Sequence, residues 1–372
     1  MAKNIKSTGR LSIQQMRKLI NKKAGQEVAV DLADEANPTI VKQWIPTGSR
    51  WLDSIVCRGK VGGVPVGKVT EIAGLEASGK SYMAAQIAGN AQKMGIDVVY
   101  FDSESSLDFT FLEKAGCDAS KILYIQATSV EFVMETMEEL LKSSDSQFLF
   151  IWDSLALTPS ISDIEGDFNP QSSMAVKPRI LAKAMSKLTI PLANSQSAFL
   201  VLNQLKTNIP SGPTARSQIL TTPYVTPGGK AMIYAYSLRI WLTRPKAKAS
   251  FVLDDHGYRI GNTVKVKLEK SRFGTQGRQC QFQILWGDTV GIADEESWFD
   301  AIGASEYLER SGAWYTLKYS DGTGDKFQRT NWATKLENEK FKARVLEIMD
   351  EEVVLKFKER TGDASQYYDA EE

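Results

Sequence analysis

Gly74-Leu75-Glu76-Ala77-Ser78-Gly79-Lys80-Ser81 has the Gly-x4-Gly-Lys-Ser spacing of a phosphate-binding loop, and its flanks restrict what can fold around it. Upstream, Val66-Gly67-Lys68-Val69-Thr70-Glu71-Ile72-Ala73 is short, apolar and rich in β-branched residues, the pattern of a buried strand. Downstream, Met83, Ile87, Ala91 and Met94 recur at helical spacing, and Gly95 supplies a stop. Strand, glycine loop and helix in that order predict backbone N–H groups curled around a phosphate, with no Cβ obstructing them at the glycines. Lys80 then offers a point charge to the β- and γ-phosphates, and Ser81 offers a hydroxyl to Mg²⁺. Residues 74–81 are expected to hold a nucleoside triphosphate.

The rest of the chain predicts the sheet that such a loop needs. Asp97–Phe101, Phe148–Trp152 and Ala198–Leu202 read as further strands, and Phe132–Lys142 as a helix. Segments around Arg239–Leu242, Thr263–Leu268 and Gln281–Leu285 also have strand character. Alternating strands and helices predict an α/β fold with a mostly parallel sheet. Ligands gather at the carboxyl ends of such strands, where this chain places Glu104, Asp153 and Gln204. Asp153 is positioned to hold Mg²⁺, Glu104 to orient or deprotonate a water, and Gln204 to hydrogen-bond a γ-phosphate. Singly, each reads equally well as a polar residue opening a loop; together they favour a site. Ser12–Ala24 reads as a capped amphipathic helix with Ile13, Met16, Leu19 and Ile20 on one stripe. From about Gly291 the pattern changes to short helices and an Asp321-Gly322 turn. The expected division is an arm and linker over 1–45, a core over 46–290 and a small C-terminal α+β domain over 291–372.

Composition excludes several chemistries. His256 is the only histidine, so a histidine base or a finger-type zinc site is not expected. Cys57, Cys117 and Cys280 are scattered and read as reduced thiols. No apolar run or leader marks a membrane protein, and a cytoplasmic location is expected. Lys plus Arg and Asp plus Glu balance at 45 each, yet the balance hides a segregation. From Phe168 to Leu253 there is no Asp or Glu, and residues 1–23 are also free of acids. The tail ends Asp369-Ala370-Glu371-Glu372. A basic field within a neutral protein suits a polyanion. Inside it, 206–227 holds Pro210, Gly212, Pro213, Pro223 and Pro227 without periodicity, which predicts a loop directly after Gln204.

The ordered motifs resemble the RecA family of homologous-recombination ATPases over roughly Ile45–Lys318. The phosphate loop is one match. Tyr100-Phe101-Asp102-Ser103-Glu104 resembles the family's catalytic-glutamate segment, and Phe150-Ile151-Trp152-Asp153-Ser154 its magnesium-associated strand. Asp163-Ile164-Glu165-Gly166-Asp167-Phe168 is similar to the start of the first DNA loop. Leu202-Asn203-Gln204 and Thr226-Pro227-Gly228-Gly229-Lys230-Ala231 are similar to the two ends of the second. Phe282–Gly287 and Gly312–Tyr315 match the core's last strand and the C-terminal domain. The resemblance implies an ATP- and Mg²⁺-dependent recombinase with a RecA-type core and an N-terminal docking arm. It implies helical filaments on single-stranded DNA, pairing with double-stranded DNA, and single-strand-binding and loader proteins as partners. It carries a trans-acting cationic pair onto Lys270 and Arg272, adenine contacts onto Asp108, Phe111 and Trp286, and DNA contacts onto Glu165, Gly166, Ser172, Met174, Arg179, Lys206, Arg216, Tyr224, Gly228, Gly229 and Lys230.

Departures from the family pattern are visible. Only Tyr224 offers an aromatic ring in the second loop, Lys230 adds a charge, and Pro178 is expected to interrupt the helix after the first loop, leaving the direction of Arg179 open. The N-terminal helix departs from bacterial sequence, which suggests a phage-encoded member acting in an infected bacterial cell. Two other readings stay open. A hexameric helicase motor on the same core would need the same ATP residues but a larger N-terminal domain. A non-catalytic single-strand-coating accessory protein would not need Glu104.

Overall fold

The computed structural model describes residues 11–25, 27–31, 37, 39–105, 107–166, 176–209, 223–245, 248–287 and 290–356; Ser172, Met174 and Arg216 lie outside them. The chain forms two compact units, divided between Lys42 and Gln43. In the first, helix α1 spans Ile13–Ala24. Ser12 and Gln15 cap it reciprocally, and Gly25 ends it in the left-handed conformation that a side chain would strain. None of its residues is buried, so Ile13, Met16, Leu19 and Ile20 leave an apolar stripe exposed.

The second unit is built on a ten-stranded sheet among the described residues. Its strands are β1 (Val69–Gly74), β2 (Asp97–Asp102), β3 (Ile122–Gln126), β4 (Phe148–Asp153), β5 (Ala198–Gln204), β6 (Leu238–Thr243), β7 (Phe251–Leu253), β8 (Arg259–Ser271), β9 (Gln279–Trp286) and β10 (Val290–Ala293). Across the sheet the order is β10, β9, β8, β6, β1, β5, β4, β2, β3, with β7 on β8. The strands from β6 to β3 run parallel, and β7 to β10 pair antiparallel. Parallel strands covered on both faces read as near-continuous apolar runs, and β4, Phe-Leu-Phe-Ile-Trp-Asp, is buried throughout.

Its helices include α2 (Lys80–Lys93), α3 (Phe109–Lys114), α4 (Val130–Ser143), α5 (Ile161–Glu165), α6 (Val176–Asn194), α7 (Gly229–Ala235), α8 (Asp294–Ala301) and α9 (Glu339–Ile348). The two-residue period of the strands sorts their side chains between two cores. Tyr100, Leu149, Ile151 and Leu200 join Met83, Ile87 and Ala91 of α2 on one face. Phe101, Phe150, Trp152 and Phe199 join Val133 and Met137 of α4, and Leu181, Met185 and Leu188 of α6, on the other. Each such large apolar side chain contributes about 1.5–3 kcal/mol on burial, so the sheet is fixed against sliding and its carboxyl ends form a rigid edge.

Beyond residue 291, strands β11 (Leu308–Ser311), β12 (Trp314–Lys318) and β13 (Gly324–Gln328) form a small antiparallel sheet. Phe299, Phe327, Trp332 and Phe341 pack edge to face beneath it and belong to the same apolar cluster as α2. No helix among the described residues is long and apolar enough to cross a membrane. The sequence expectation for Pro178 is corrected: it stands third in α6, within the first turn. There the missing N–H has no intrahelical partner to lose, so the proline is accommodated and Arg179 is an exposed residue of that turn.

Candidate nucleotide and DNA site

β1 delivers the chain into the phosphate loop, and β5 lies beside it with Gly74 opposite Gln204. One strand further, β4 ends level with β2, Asp153 opposite Asp102. The loop is tight. A Cβ on Gly74 would lie 2.1 Å from Ser78 Oγ, and one on Gly79 (φ +89°) would lie 2.2 Å from Ile284 Cδ1. Lys80 folds back over the loop and donates to the carbonyls of Gly74 (3.4 Å) and Leu75 (3.2 Å). Burial lowers its pKa, opposed by the carboxylates of Asp153, Glu104 and Glu76. Ser78 Oγ is buried without a hydrogen-bond partner. A cavity of about 420 Å³ opens from residues 77–82 toward Arg259, Asn262 and Trp286. A glycine cradle, a half-buried ammonium and an unsatisfied hydroxyl on one cavity fit a polyphosphate.

Ser81 Oγ donates to Asp153 Oδ2 at 3.0 Å, and the Tyr100 hydroxyl donates to the same oxygen at 2.9 Å. Burial pushes the Asp153 carboxyl upward, while these two donors oppose the shift. A hydroxyl and a carboxylate in contact beside a phosphate cradle fit a hard cation such as Mg²⁺. Glu104 accepts from Ser154 Oγ at 3.0 Å, and Asp102 Oδ1 accepts from the N–H groups of Glu104 and Ser105 at 2.8 and 2.9 Å, closing the turn that presents Glu104.

Other sequence-derived candidates divide. Trp286 lines the cavity. Phe111 meets it only through Tyr82, ring edge to face at 4.6 Å. Asp108 caps α3 by accepting from Thr110 and Phe111 N–H. Lys270 and Arg272 donate to the α7 carbonyls of Ile233 and Tyr234. Lys270 pairs with Arg239, which pairs with Glu71, three residues before Gly74. At ~3.3 Å per residue and ~4.8 Å per strand, that places Lys270 more than 10 Å from its own phosphate loop.

The proposed DNA-contacting segments have fixed roots. Lys206–Thr207 pairs antiparallel with Tyr224–Val225 just after β5. Gly228 (φ +109°) and Gly229 (φ +77°) open α7, and a Cβ on Gly229 would stand 3.1 Å from Pro178. The end of one segment therefore packs on the end of the other. Glu165 closes α5 and Gly166 follows it; Arg179 and Lys230 are exposed. Sequence reasoning missed Tyr100, Ser154, Glu71, Asn203 and Arg239 as parts of this edge.

The glycine cradle, half-buried lysine and serine–aspartate contact at the carboxyl edge of a parallel sheet define a phosphate-loop ATPase. The family model of the RecA N-terminal domain matches residues 11–292. Protein RecA of Saccharopolyspora erythraea is 31% identical over 299 residues, covering 80% of each chain. That of Frankia alni is 33% identical over 297 residues, again covering 80% of each. That of Streptomyces coelicolor is 31% identical over 299 residues, covering 80% of this chain and 74% of its own. The chain belongs to the RecA family and is a DNA-dependent ATPase of recombination and repair.

Proposed function

We propose that the chain polymerises on single-stranded DNA with ATP and Mg²⁺ held between neighbours, and pairs the coated strand with homologous duplex DNA. The observation that carries this is the register of Gly74 with Gln204, which joins the phosphate loop to the root of the acid-free span. In this reading Lys80 and the loop N–H groups hold the phosphates. Bound Mg²⁺ neutralises phosphate charge. Ser81 and Asp153 hold that ion, and Glu104, steadied by Ser154, takes the proton of the attacking water. Trp286 covers the base. Lys270 and Arg272, remote from their own loop, serve the neighbouring subunit's phosphates, where added positive charge stabilises the transition state. Glu165, Gly166, Arg179, Lys206, Tyr224, Gly228, Gly229 and Lys230, with Ser172, Met174 and Arg216, hold DNA. The exposed stripe of α1 docks on the adjacent subunit, so that an arm over 1–45, a core over 46–290 and a C-terminal domain over 291–372 divide the work. Single-strand-binding and loading proteins would assist in the cytoplasm of a bacterial or phage-infected cell.

The test is strand exchange between a labelled oligonucleotide and homologous duplex, with electron microscopy of the assemblies. Helical filaments and ATP-dependent exchange are expected. Closed hexamers without exchange would replace this reading with the helicase motor, and DNA coating without phosphate release would replace it with the accessory protein.

A further inference from the structure

Below the phosphate loop lies a buried ion pair that the chemistry above does not use. Glu71 of β1 is paired across the sheet with Arg239 of β6, and both are buried. Arg239 Nε meets Glu71 Oε2 at 2.6 Å, and Asn203 Nδ2 donates to Glu71 Oε1 at 3.0 Å. The network leaves the sheet at two points. Arg239 Nη2 donates to Thr226 Oγ1 at 2.8 Å, and Asn203 Nδ2 also donates to the Pro227 carbonyl at 3.0 Å. Asn203 Oδ1 accepts from the N–H of Gln204 at 3.0 Å. The rings of Tyr236 and Trp241 flank the guanidinium at 5.8 and 5.6 Å.

A buried ion pair is weak grounds for stability, because desolvation offsets most of its attraction and apolar residues often serve as well. What this one does is connect. Glu71 sits on the strand that enters the phosphate loop, Asn203 adjoins Gln204, and Thr226 and Pro227 form the far root of the span that begins at Lys206. The near root is covalently continuous with β5. Besides the short Lys206–Val225 and Thr207–Tyr224 ladder and the Asn208 N–H donated to the Pro223 carbonyl at 2.9 Å, these two hydrogen bonds tie the far root back to the sheet.

We propose that Asn203 and Arg239 are positioning residues: they couple Gln204 to the Thr226–Pro227 root, so that both ends of the span move together when the phosphate site fills. Coupling of this kind is reciprocal, so DNA on the span also changes nucleotide affinity. The inference rests on the reading that the span holds DNA.

The test compares the affinity for a fluorescent single-stranded oligonucleotide with a non-hydrolysable ATP analogue and with ADP. Thr226→Val keeps the shape and removes the hydroxyl acceptor. Thr226→Ser restores the hydroxyl. In Thr226→Val the analogue-to-ADP affinity ratio should fall about threefold or more, while nucleotide affinity without DNA and the melting temperature stay near wild type. Thr226→Ser should recover the ratio, and Arg239→Met should lower it further. A wild-type ratio well above one that survives in Thr226→Val overturns the inference, as does an equal loss in the Ser variant. A wild-type ratio near one would overturn the DNA reading and this inference together. If Arg239→Met does not fold, the two Thr226 variants decide alone.

Discussion

Tyr100→Phe should weaken magnesium use while leaving the fold intact. The ring is fully buried among residues of the α2 face, and phenylalanine fills the same space. What disappears is the hydroxyl that donates to Asp153 Oδ2 at 2.9 Å. Burial and the adjacent Asp153 carboxylate hold the phenol well above its ordinary pKa, so it remains a donor throughout the working range. Ser81 and Tyr100 both donate to Asp153 Oδ2, so the variant leaves that oxygen with the Ser81 hydroxyl as its one side-chain donor of the pair. A hydrogen bond to a charged group contributes about 1.5–3 kcal/mol, and losing an outer partner of a ligand weakens metal affinity roughly 10–100-fold. Asp153 is already raised by burial, and removing the donor raises it further. The acid limb of kcat/KM should therefore move to higher pH. Phosphate release at saturating ATP and DNA, titrated with Mg²⁺, reads the first effect, and the same assay across pH reads the second. If the variant keeps the wild-type Mg²⁺ midpoint and the wild-type acid limb, Asp153 is not the cation's carboxylate.

Three further outcomes are expected. Lys80→Ala should abolish nucleotide binding and turnover, and normal DNA-stimulated hydrolysis in that variant would remove the site assignment. Neutralising Arg216 and Lys230 together should weaken DNA binding and reduce the salt slope by about two; an unchanged slope would direct those residues elsewhere. Asp53 is pushed up to about 8, chiefly by burial, with Thr47 hydrogen bonds opposing and Asp294 reinforcing. The folded carboxyl then keeps a proton that the unfolded chain has lost, so stability falls as pH rises from about 4 to about 8, by up to ~1.4 kcal/mol per unit. Asp53→Asn should flatten the dependence of melting temperature on pH in that window, and an unaltered slope refutes this origin.

The candidate edge was legible because its residues stand at strand ends, where apolar runs stop abruptly. Phe148–Trp152 announces a strand buried on both faces, and Asp153 is the first charged residue after that apolar run. The same logic reached Gln204, although β5 continues through that residue. Two kinds of feature stayed hidden. Tyr100 and Arg239 lie within strands, where their neighbours make them look like core residues, and only the register across the sheet reveals their partners. Strand β3 also went unread, although Ile122-Leu123-Tyr124-Ile125 is an unbroken apolar run; in the structure Leu123 and Tyr124 are exposed at the sheet edge. Pro178 misled for a different reason: a proline signals a break only if the helix has already begun.

The placement of Lys270 and Arg272 has an arithmetic consequence for assemblies. If each molecule lends its two cations to the next, a row of n molecules contains n − 1 complete catalytic centres, and one end is always idle. Turnover per molecule would then climb with oligonucleotide length toward a plateau, and the silent terminus would give the row a chemical direction even on a uniform strand.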